Sequence, residues 1–425
     1  MRIALVADSS SPLAPPAQNA DPGSGAQTAR VVSLAQALAR LGHRITIYAR
    51  KDSRTLPGSA ILAPGVTVEH VTAGPPTPLG ADELTAHLPE IGRYLAQRWR
   101  RNPPDVAHAH FWTSGLAALA GARDLGVPVA QTFGSLGAAE QRHRATERPA
   151  ATRIRLETCI ARSADVVLAS SAEELADVTR LGVPRARVRV VPCGVDPERF
   201  SPEGPAAERN GRPRLLAAAP LTAARGLDVA VRALAEIPDT ELVITGGPDR
   251  AELSKHQAYR DLRRFARRLH VHDRLVFTGR VSPDEWPALL RSADLLVSTA
   301  PYEPAGIAAL QAMSCGTPVV TAAAGAERDA VIDATTGLLI PSRQPAQLAS
   351  RVRRLLASSL QLEAYGIAAA DRARSRYSWE RIARETLAAY GCVRRRPAAV
   401  ASVRDAQAVR APARQARRMP AGAPA

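Results

Sequence analysis

YEPAGIAALQAMSCGTPVV, residues 302–320, is the stretch on which the fold turns. The run before it, ADLLVSTA (293–300), is short, apolar and rich in branched residues, which predicts a buried parallel strand. Pro301 and Pro304 then interrupt the chain. The spacing of Ile307, Leu310 and Met313 predicts a helix from Ala305 that stops at Gly316, and TPVVTAAA (317–324) predicts the next strand. The result is a strand–loop–helix–strand unit whose loop carries Glu303 beside a small-residue helix start, Ala305 and Gly306. Unpaired N–H groups at such a start, with the positive end of the helix dipole, favour a phosphate or diphosphate. A packed crossover with an exposed glutamate fits the same spacing, and spacing alone favours that plainer reading.

Outward from this unit, strand and helix patterns alternate along most of the chain. RIALVA (2–7), RITIYA (44–49), VTVEHV (66–71), DVAHAHFW (105–112), VPVAQTFG (127–134), ADVVLASS (164–171) and RVRVVPCGVD (187–196) read as strands. After a segment dense in Pro, Gly and charge, a second series follows: RLLAAAPL (214–221), ELVITGG (241–247), RLVFTGRV (274–281), the pair around residue 302, and ATTGLLIP (334–341). Helices are predicted over 82–101, 150–163, 225–235, 250–270, 283–292, 305–314, 345–373 and 378–392. Such alternation predicts parallel, doubly wound α/β sheets, in which ligands sit beyond the carboxyl ends of the strands. We divide the chain into a first domain (1–195), a linker (196–213), a second domain (214–375), a terminal helix and a tail (394–425). Gly25, His110 and Gly134 fall at such strand ends or just after them. The turn GSGAQT (23–28) reads as a glycine loop before the first helix. His108 and His110 share one face of their strand; with no third ligand nearby, a satisfied core histidine is the expectation for at least one.

A chain of 425 residues suits two domains of roughly 180–200 residues each. The net charge of +16 is almost all arginine, Lys51 and Lys255 being the lysines; the tail carries eight Arg against one Asp and so supplies +7 of it. That tail lacks periodicity and reads as disordered. Its functional reading is weak attraction to anionic lipid. The basic charge has no aromatic interleaving and no recognition module, so specific nucleic-acid binding is not expected. Cys159, Cys193, Cys315 and Cys392 are scattered and read as reduced thiols of a cytoplasmic protein. The first apolar run is too short for a signal peptide, and no window approaches 18 apolar residues, so no membrane span is expected. No Asp-x-Asp pair occurs, which removes the simplest divalent-metal site.

The 302–320 stretch resembles the donor-sugar motif of family 4 glycosyltransferases: two glutamates separated by seven residues, with Phe-Gly just after the first. DVAHAHFW, VVPCGVDPERF (190–200), RGLDVAVRAL (225–234), VFTGRV (276–281) and TTGLLIP (335–341) extend the resemblance over about residues 1–392, closest to bacterial members of the sucrose-phosphate synthase branch. It implies the GT-B fold, two Rossmann-like domains facing across a cleft, with the last helix returning to the first domain through Tyr377 and Trp379. It implies a nucleotide-sugar donor, transfer with retention at the anomeric carbon, and no metal or other cofactor. Glu303 matches the glutamate that holds donor sugar hydroxyls, and Arg225 the cation, usually lysine, that neutralises the leaving group. The amides of Ala305, Gly306 and Ile307 match those on the diphosphate. Gln311 matches the glutamate on the ribose, Gly25 the glycine near the donor phosphate, and Val281 the position near the base. His110 and Gly134 are acceptor-side candidates; the acceptor itself, small molecule, glycan or lipid-linked, is not legible.

Four positions depart from the family pattern: Pro220 for an arginine, Gln311 for glutamate, Gly134 for histidine and Ala26 for glycine. All four fall in the expected cleft, while the apolar framework is intact. Two readings follow, an active transferase with an altered donor site and a non-catalytic paralogue that binds a sugar, a nucleotide or a partner enzyme.

Overall fold

The computed structural model describes residues 1–8, 11–13, 22–143, 150–222, 225–322 and 324–393. The tail from Arg394, with its expected disorder and lipid contact, lies outside the described residues. Among the described residues, fourteen strands form two sheets. The first contains β1 (Arg2–Val6), β2 (Arg44–Arg50), β3 (Ser59–Ala63), β4 (Val66–Val71), β5 (Val106–His110), β6 (Val129–Thr132), β7 (Val166–Ala169) and β8 (Val188–Val190), in the order β3-β4-β2-β1-β5-β6-β7-β8. The second contains β9 (Arg214–Ala218), β10 (Glu241–Thr245), β11 (Leu275–Gly279), β12 (Leu295–Ser298), β13 (Val319–Thr321) and β14 (Gly337–Leu339), in the order β11-β10-β9-β12-β13-β14. Both are Rossmann-like α/β sheets.

All pairings are parallel except β3 on β4. β3 was not among the sequence expectations. It is an edge strand with Ile61 81% exposed, so it lacks the apolar run of a buried strand. Its signal was the Pro64-Gly65 turn, with Gly65 at φ +78°, which folds β3 back antiparallel onto β4.

Among its parallel strands each sheet reverses its order once, at β1/β5 and at β9/β12. Strands there are buried on both faces; all five residues of β5 are buried. The cores are built mainly from Ala, Leu and Val, with Trp99 the largest fully buried side chain.

Several helix boundaries differ from the periodicity. The expected helix 82–101 is Ala81–Leu84, a 3-10 turn Thr85–His87, and Leu88–Arg101, with Pro89 in the first turn of the last piece, where its missing N–H is tolerated. The expected helix 345–373 breaks into Pro345–Leu356 and Ser359–Tyr377, the second capped by Ser358, whose Oγ accepts from Gln361 N at 3.3 Å. Residues 250–270 divide into a 3-10 segment, Arg250–Lys255, and a helix, Gln257–Arg268. The glycine loop GSGAQT is itself helical, because the first helix runs Pro22–Arg40.

The chain crosses between the sheets twice at one place. Val195 N donates to Tyr377 O at 2.7 Å and Trp379 N to Val195 O at 3.1 Å. Helix Trp379–Gly391 then packs on Pro22–Arg40 and β7, and Tyr390 Oη lies 2.8 Å from His108 Nδ1. Gly194 is required here, since a Cβ would lie 2.5 Å from the Trp379 ring.

Candidate active site

The loops after β9 and β12, 219–226 and 299–306, flank the reversal of the second sheet, where an open α/β sheet leaves a crevice. Each ends in a glycine of left-handed conformation, Gly226 at φ +66° and Gly306 at φ +61°, from which helices Leu227–Ala235 and Ile307–Ser314 depart. Glycine is needed at both. A Cβ on Gly226 would lie 2.3 Å from Thr299 O, and one on Gly306 would lie 3.3 Å from Glu327 Cγ. The second helix therefore begins at Ile307, two residues later than the periodicity predicts, because Gly306 takes a conformation no helix contains. Among the described residues, the amides of Ala305, Gly306 and Ile307 donate to no backbone carbonyl, as expected of a helix start.

Arg225 and Glu303 meet between these helix tips. Arg225 Nη1 donates to Glu303 Oε2 at 2.9 Å, with the side chains 32% and 28% exposed. The two residues singled out from separate sequence motifs are thus one ion pair. The Glu303 backbone is held on both sides: Ala326 N donates to Glu303 O at 2.9 Å, and Glu303 bridges Gly325 in parallel. Beneath them Glu327 is buried, its carboxyl accepting from Thr321 Oγ1. Burial, and then the Glu303 carboxylate, push the Glu327 carboxyl up to about 7.

The other donor-side candidates are more dispersed. Gln311 is half-buried on the second helix, and its Oε1 accepts from Trp286 Nε1 at 2.7 Å. Its carbonyl oxygen is therefore already engaged, and Trp286, half-buried beside it, is a neighbour sequence reading missed. Val281 lies two residues beyond β11, packed against the main core. Pro220 follows β9 and is half-buried, so the position where the resemblance implies a second cation holds no charge.

In the first sheet, Asp8 follows β1 and is buried; its Oδ1 accepts from Thr113 Oγ1 at 2.9 Å and Ser114 Oγ at 2.6 Å. Burial, opposed by these hydrogen bonds, pushes its carboxyl up to about 6. His108 is the satisfied core histidine, placed between Tyr390 and Thr132 Oγ1, the latter at 2.9 Å. His110 is also buried, with its ring 4.1 Å from that of His108 and, among the described residues, no hydrogen-bond partner for its Nε2. Burial first, then Arg30, hold the His108 imidazole down at about 3; burial, then His108 and Arg30, hold His110 well below its usual range. Arg30, not singled out from sequence, reaches this site from the first helix, with Nη1 3.3 Å from Ser170 Oγ. Gly134 sits at φ +74°, where a Cβ would lie 3.3 Å from Gln27 Nε2. Gly25 is exposed in the first turns of its helix, not in a loop.

The two halves touch at the donor motif itself. Tyr302 is buried in the apolar cluster of the first domain, its ring stacked on His143 at 5.1 Å and 2°. Glu173, on helix Ala172–Arg180, accepts from Gly325 N at 2.9 Å and pairs with His143 and Arg142. Burial works to raise the Glu173 carboxyl, but the bonds from His143, Gly325 N and Arg142 override it and hold the group down at about 2. The first domain thereby grips the residues on either side of Glu303.

This geometry coincides with sequence likeness. The signature described as Glycosyltransferase Family 4 matches residues 27–199, and that described as Glycosyl transferases group 1 matches residues 203–372. A D-inositol 3-phosphate glycosyltransferase of Acidothermus cellulolyticus is 32% identical over 92% of this chain and 90% of its own length. The chain is a family 4 glycosyltransferase. A namesake from Kribbella flavida is 33% identical, covering 92% of this transferase and 95% of the relative. Among solved structures, sucrose-phosphate synthase from Thermosynechococcus elongatus superimposes with a TM-score of 0.80 at 26% identity, over 92% of the transferase and 98% of the synthase. HepE of Anabaena, solved with UDP and glucose, shares the fold with a TM-score of 0.70 at 17% identity, over 92% and 100% of the two chains. The GT-B architecture expected from sequence is the one observed, and no helix among the described residues is long and apolar enough to cross a membrane.

Proposed function

We propose that this transferase moves a sugar from a nucleoside diphosphate to an acceptor hydroxyl with retention at the anomeric carbon and without a metal. The observation that carries this reading is the Arg225–Glu303 pair set between two glycine-capped helix tips at the sheet reversal. A diphosphate entering there offers Arg225 two anionic groups in place of one glutamate. Arg225 moves to the diphosphate, and Glu303 is freed to accept from the donor sugar hydroxyls. As the glycosidic C–O bond breaks, charge grows on the departing oxygens; a fixed guanidinium and preoriented amides lower that barrier. A cation and helix tips already supply the positive charge that a metal would bring.

The name shared by the relatives gives a first acceptor to test, D-inositol 3-phosphate, and the HepE complex gives UDP as a first nucleotide. With reduced thiols and no spanning helix, we assign the transferase to the cytoplasm, with weak peripheral membrane contact through the basic tail. Purified enzyme is to be incubated with a panel of nucleotide sugars and acceptors, with and without EDTA. Nucleoside diphosphate release that EDTA leaves unchanged, with the product anomer matching the donor, supports the proposal. Binding without release supports the non-catalytic alternative, and an inverted product or EDTA-sensitive turnover overturns the chemistry stated.

Gln311→Glu restores the family's carboxylate at that position. The Trp286 indole N–H then donates to a charged oxygen, and the second oxygen is free for ribose hydroxyls. The expected result is donor KM lowered about fivefold at unchanged kcat, roughly 1 kcal/mol of charge-assisted hydrogen bonding. Steady-state kinetics with varied donor check it; an unchanged KM removes residue 311 from donor binding.

A further inference from the structure

Glu327 has no part in the chemistry above, yet it is the most deeply buried charge-bearing group beside it. It is 3% exposed on the short helix Ala326–Ala330, directly under the Gly306 turn, and its backbone N lies 3.5 Å from where a Gly306 Cβ would stand. Every element around it contributes a defined group. The motif loop brings Glu303 and the loop before Leu227–Ala235 brings Arg225; β12 brings Ser298 and β13 brings Thr321, both as hydrogen-bond partners. Helix Ile307–Ser314 brings no titratable side chain. From the first domain, Glu173 approaches two residues earlier, where it accepts from Gly325 N, and on Glu327's own helix Asp329 is turned away to Ala172 N at 2.6 Å. Arg328 on the same helix is exposed, and Arg372, from helix Ser359–Tyr377, is spent on Ala330 O at 2.7 Å and Asp329 O at 2.8 Å at the far end of the helix; among the described residues Arg225 is the cation that acts on the Glu327 carboxyl.

We propose that Glu327 is a buried proton switch that sets how tightly Arg225 is held by carboxylates, and so makes diphosphate binding depend on pH. The inference rests on the donor-site reading of Arg225 and Glu303. With Glu327 protonated, Arg225 faces one carboxylate, the pair is neutral, and an arriving diphosphate meets a cation it can claim. With Glu327 ionised, a second carboxylate lies buried beneath the pair, the cluster is net negative, and the same anion meets repulsion that water at the part-exposed Arg225 and Glu303 only partly screens. Burial first, and the Glu303 carboxylate second, raise this carboxyl from its ordinary 4.5 to about 7. The group therefore loses its proton within the neutral range, where ordinary glutamates are fully ionised.

The sign follows by linkage. Binding an anion favours the protonated form, so affinity is greatest below about 7 and falls as the proton is lost. Thr321 and Ser298 hydrogen-bond the carboxyl and favour its ionised form, opposing the burial that raises it, and glutamine at 327 keeps an acceptor for Thr321 while removing the charge. Glu327 is a positioning residue here, acting through Arg225 and Glu303.

The test is UDP affinity of the full-length chain, measured calorimetrically between pH 6 and 8.5, for the native protein and Glu327→Gln. UDP's own terminal phosphate titrates near pH 6, but it does so equally for both proteins and cancels in their ratio. The expected result is near-equal affinity at pH 6 and about tenfold weaker binding to the native chain at pH 8.5, one pKa unit of linkage. Parallel pH curves for the two proteins overturn the switch and leave the donor site standing. Absence of UDP binding to the native chain at every pH overturns the donor-site reading and the switch with it. If Glu327→Gln does not fold, infrared spectroscopy of the native chain decides. A protonated carboxylic-acid band that persists to neutral pH and shifts upward in pH on UDP addition supports the proposal; a pH midpoint that UDP leaves in place overturns it.

Discussion

Arg225→Ala lowers kcat for sugar transfer about a hundred- to thousandfold, the loss measured when one preorganised stabiliser of a developing oxyanion is removed. Two features of this molecule place the effect at the upper end. Residue 220, where the motif resemblance implies a second cation, is proline, so no neighbouring charge at that position shares the load. Removing the guanidinium also leaves Glu303 without its 2.9 Å partner, facing the diphosphate as a bare carboxylate. Arg225→Lys keeps the charge with a different reach and is expected to retain most of the activity, because lysine is the residue that the motif resemblance implies there. Glu303→Gln leaves Arg225 free for the diphosphate but removes the charged acceptor for the sugar. Transfer should therefore be abolished, while nucleoside diphosphate binding stays equal to that of the native chain or tighter. The pair of variants separates charge stabilisation from sugar positioning when kcat, donor KM and UDP affinity are measured together. Native kcat in Arg225→Ala removes the guanidinium from the reaction.

Gly325→Ala damages both stability and turnover, although residue 325 offers no side chain to substrate. Its backbone lies at φ +74°, ψ −145°, a region that only glycine occupies without strain. An added Cβ would stand 2.2 Å from Glu303 O and 3.2 Å from the Tyr302 ring. Something has to move, and what lies nearest is the backbone that places the Glu303 carboxylate. The same shift breaks the bond from Gly325 N to Glu173, one of the contacts by which the first domain grips the motif. We expect a loss of about 3 kcal/mol in unfolding free energy from strain and overpacking. A displacement of Glu303 on the order of 1 Å costs about a hundredfold in kcat. Gly391→Ala is the control, since a Cβ there meets nothing within 4 Å. Chemical denaturation and steady-state kinetics on both variants check the claim. A Gly325→Ala protein as stable and active as the control would mean that the Glu303–Gly325 bridge places nothing.

The fold was largely legible because its signals are local. Among the described residues, thirteen of the fourteen strands fall on runs whose apolar length and branched residues mark them as buried, β2 passing the end of its run by one residue, and β3 escaped because an exposed edge strand has no such run. Helix starts were less legible. The periodicity of Ile307, Leu310 and Met313 is indifferent to whether the first turn begins at Ala305 or Ile307. The left-handed Gly306 settles it, through the space left above Glu327.

The site divides in the same way. Residue types in motifs named Glu303 and Arg225 singly, 78 positions apart, and nothing in either motif says that they touch. Arg30, Trp286 and Glu327 carry no local signature at all; each matters through neighbours from distant segments. By itself the sequence determined two α/β sheets, their family and the chemical groups at the strand ends, because periodicity, turn residues and motif spacing are properties of short stretches. Only the tertiary structure decided which of those groups pair, which are buried and which have their charge disfavoured by burial. Pairing across 78 residues and the dielectric around a carboxyl are set by how separate loops converge at the two reversals of strand order.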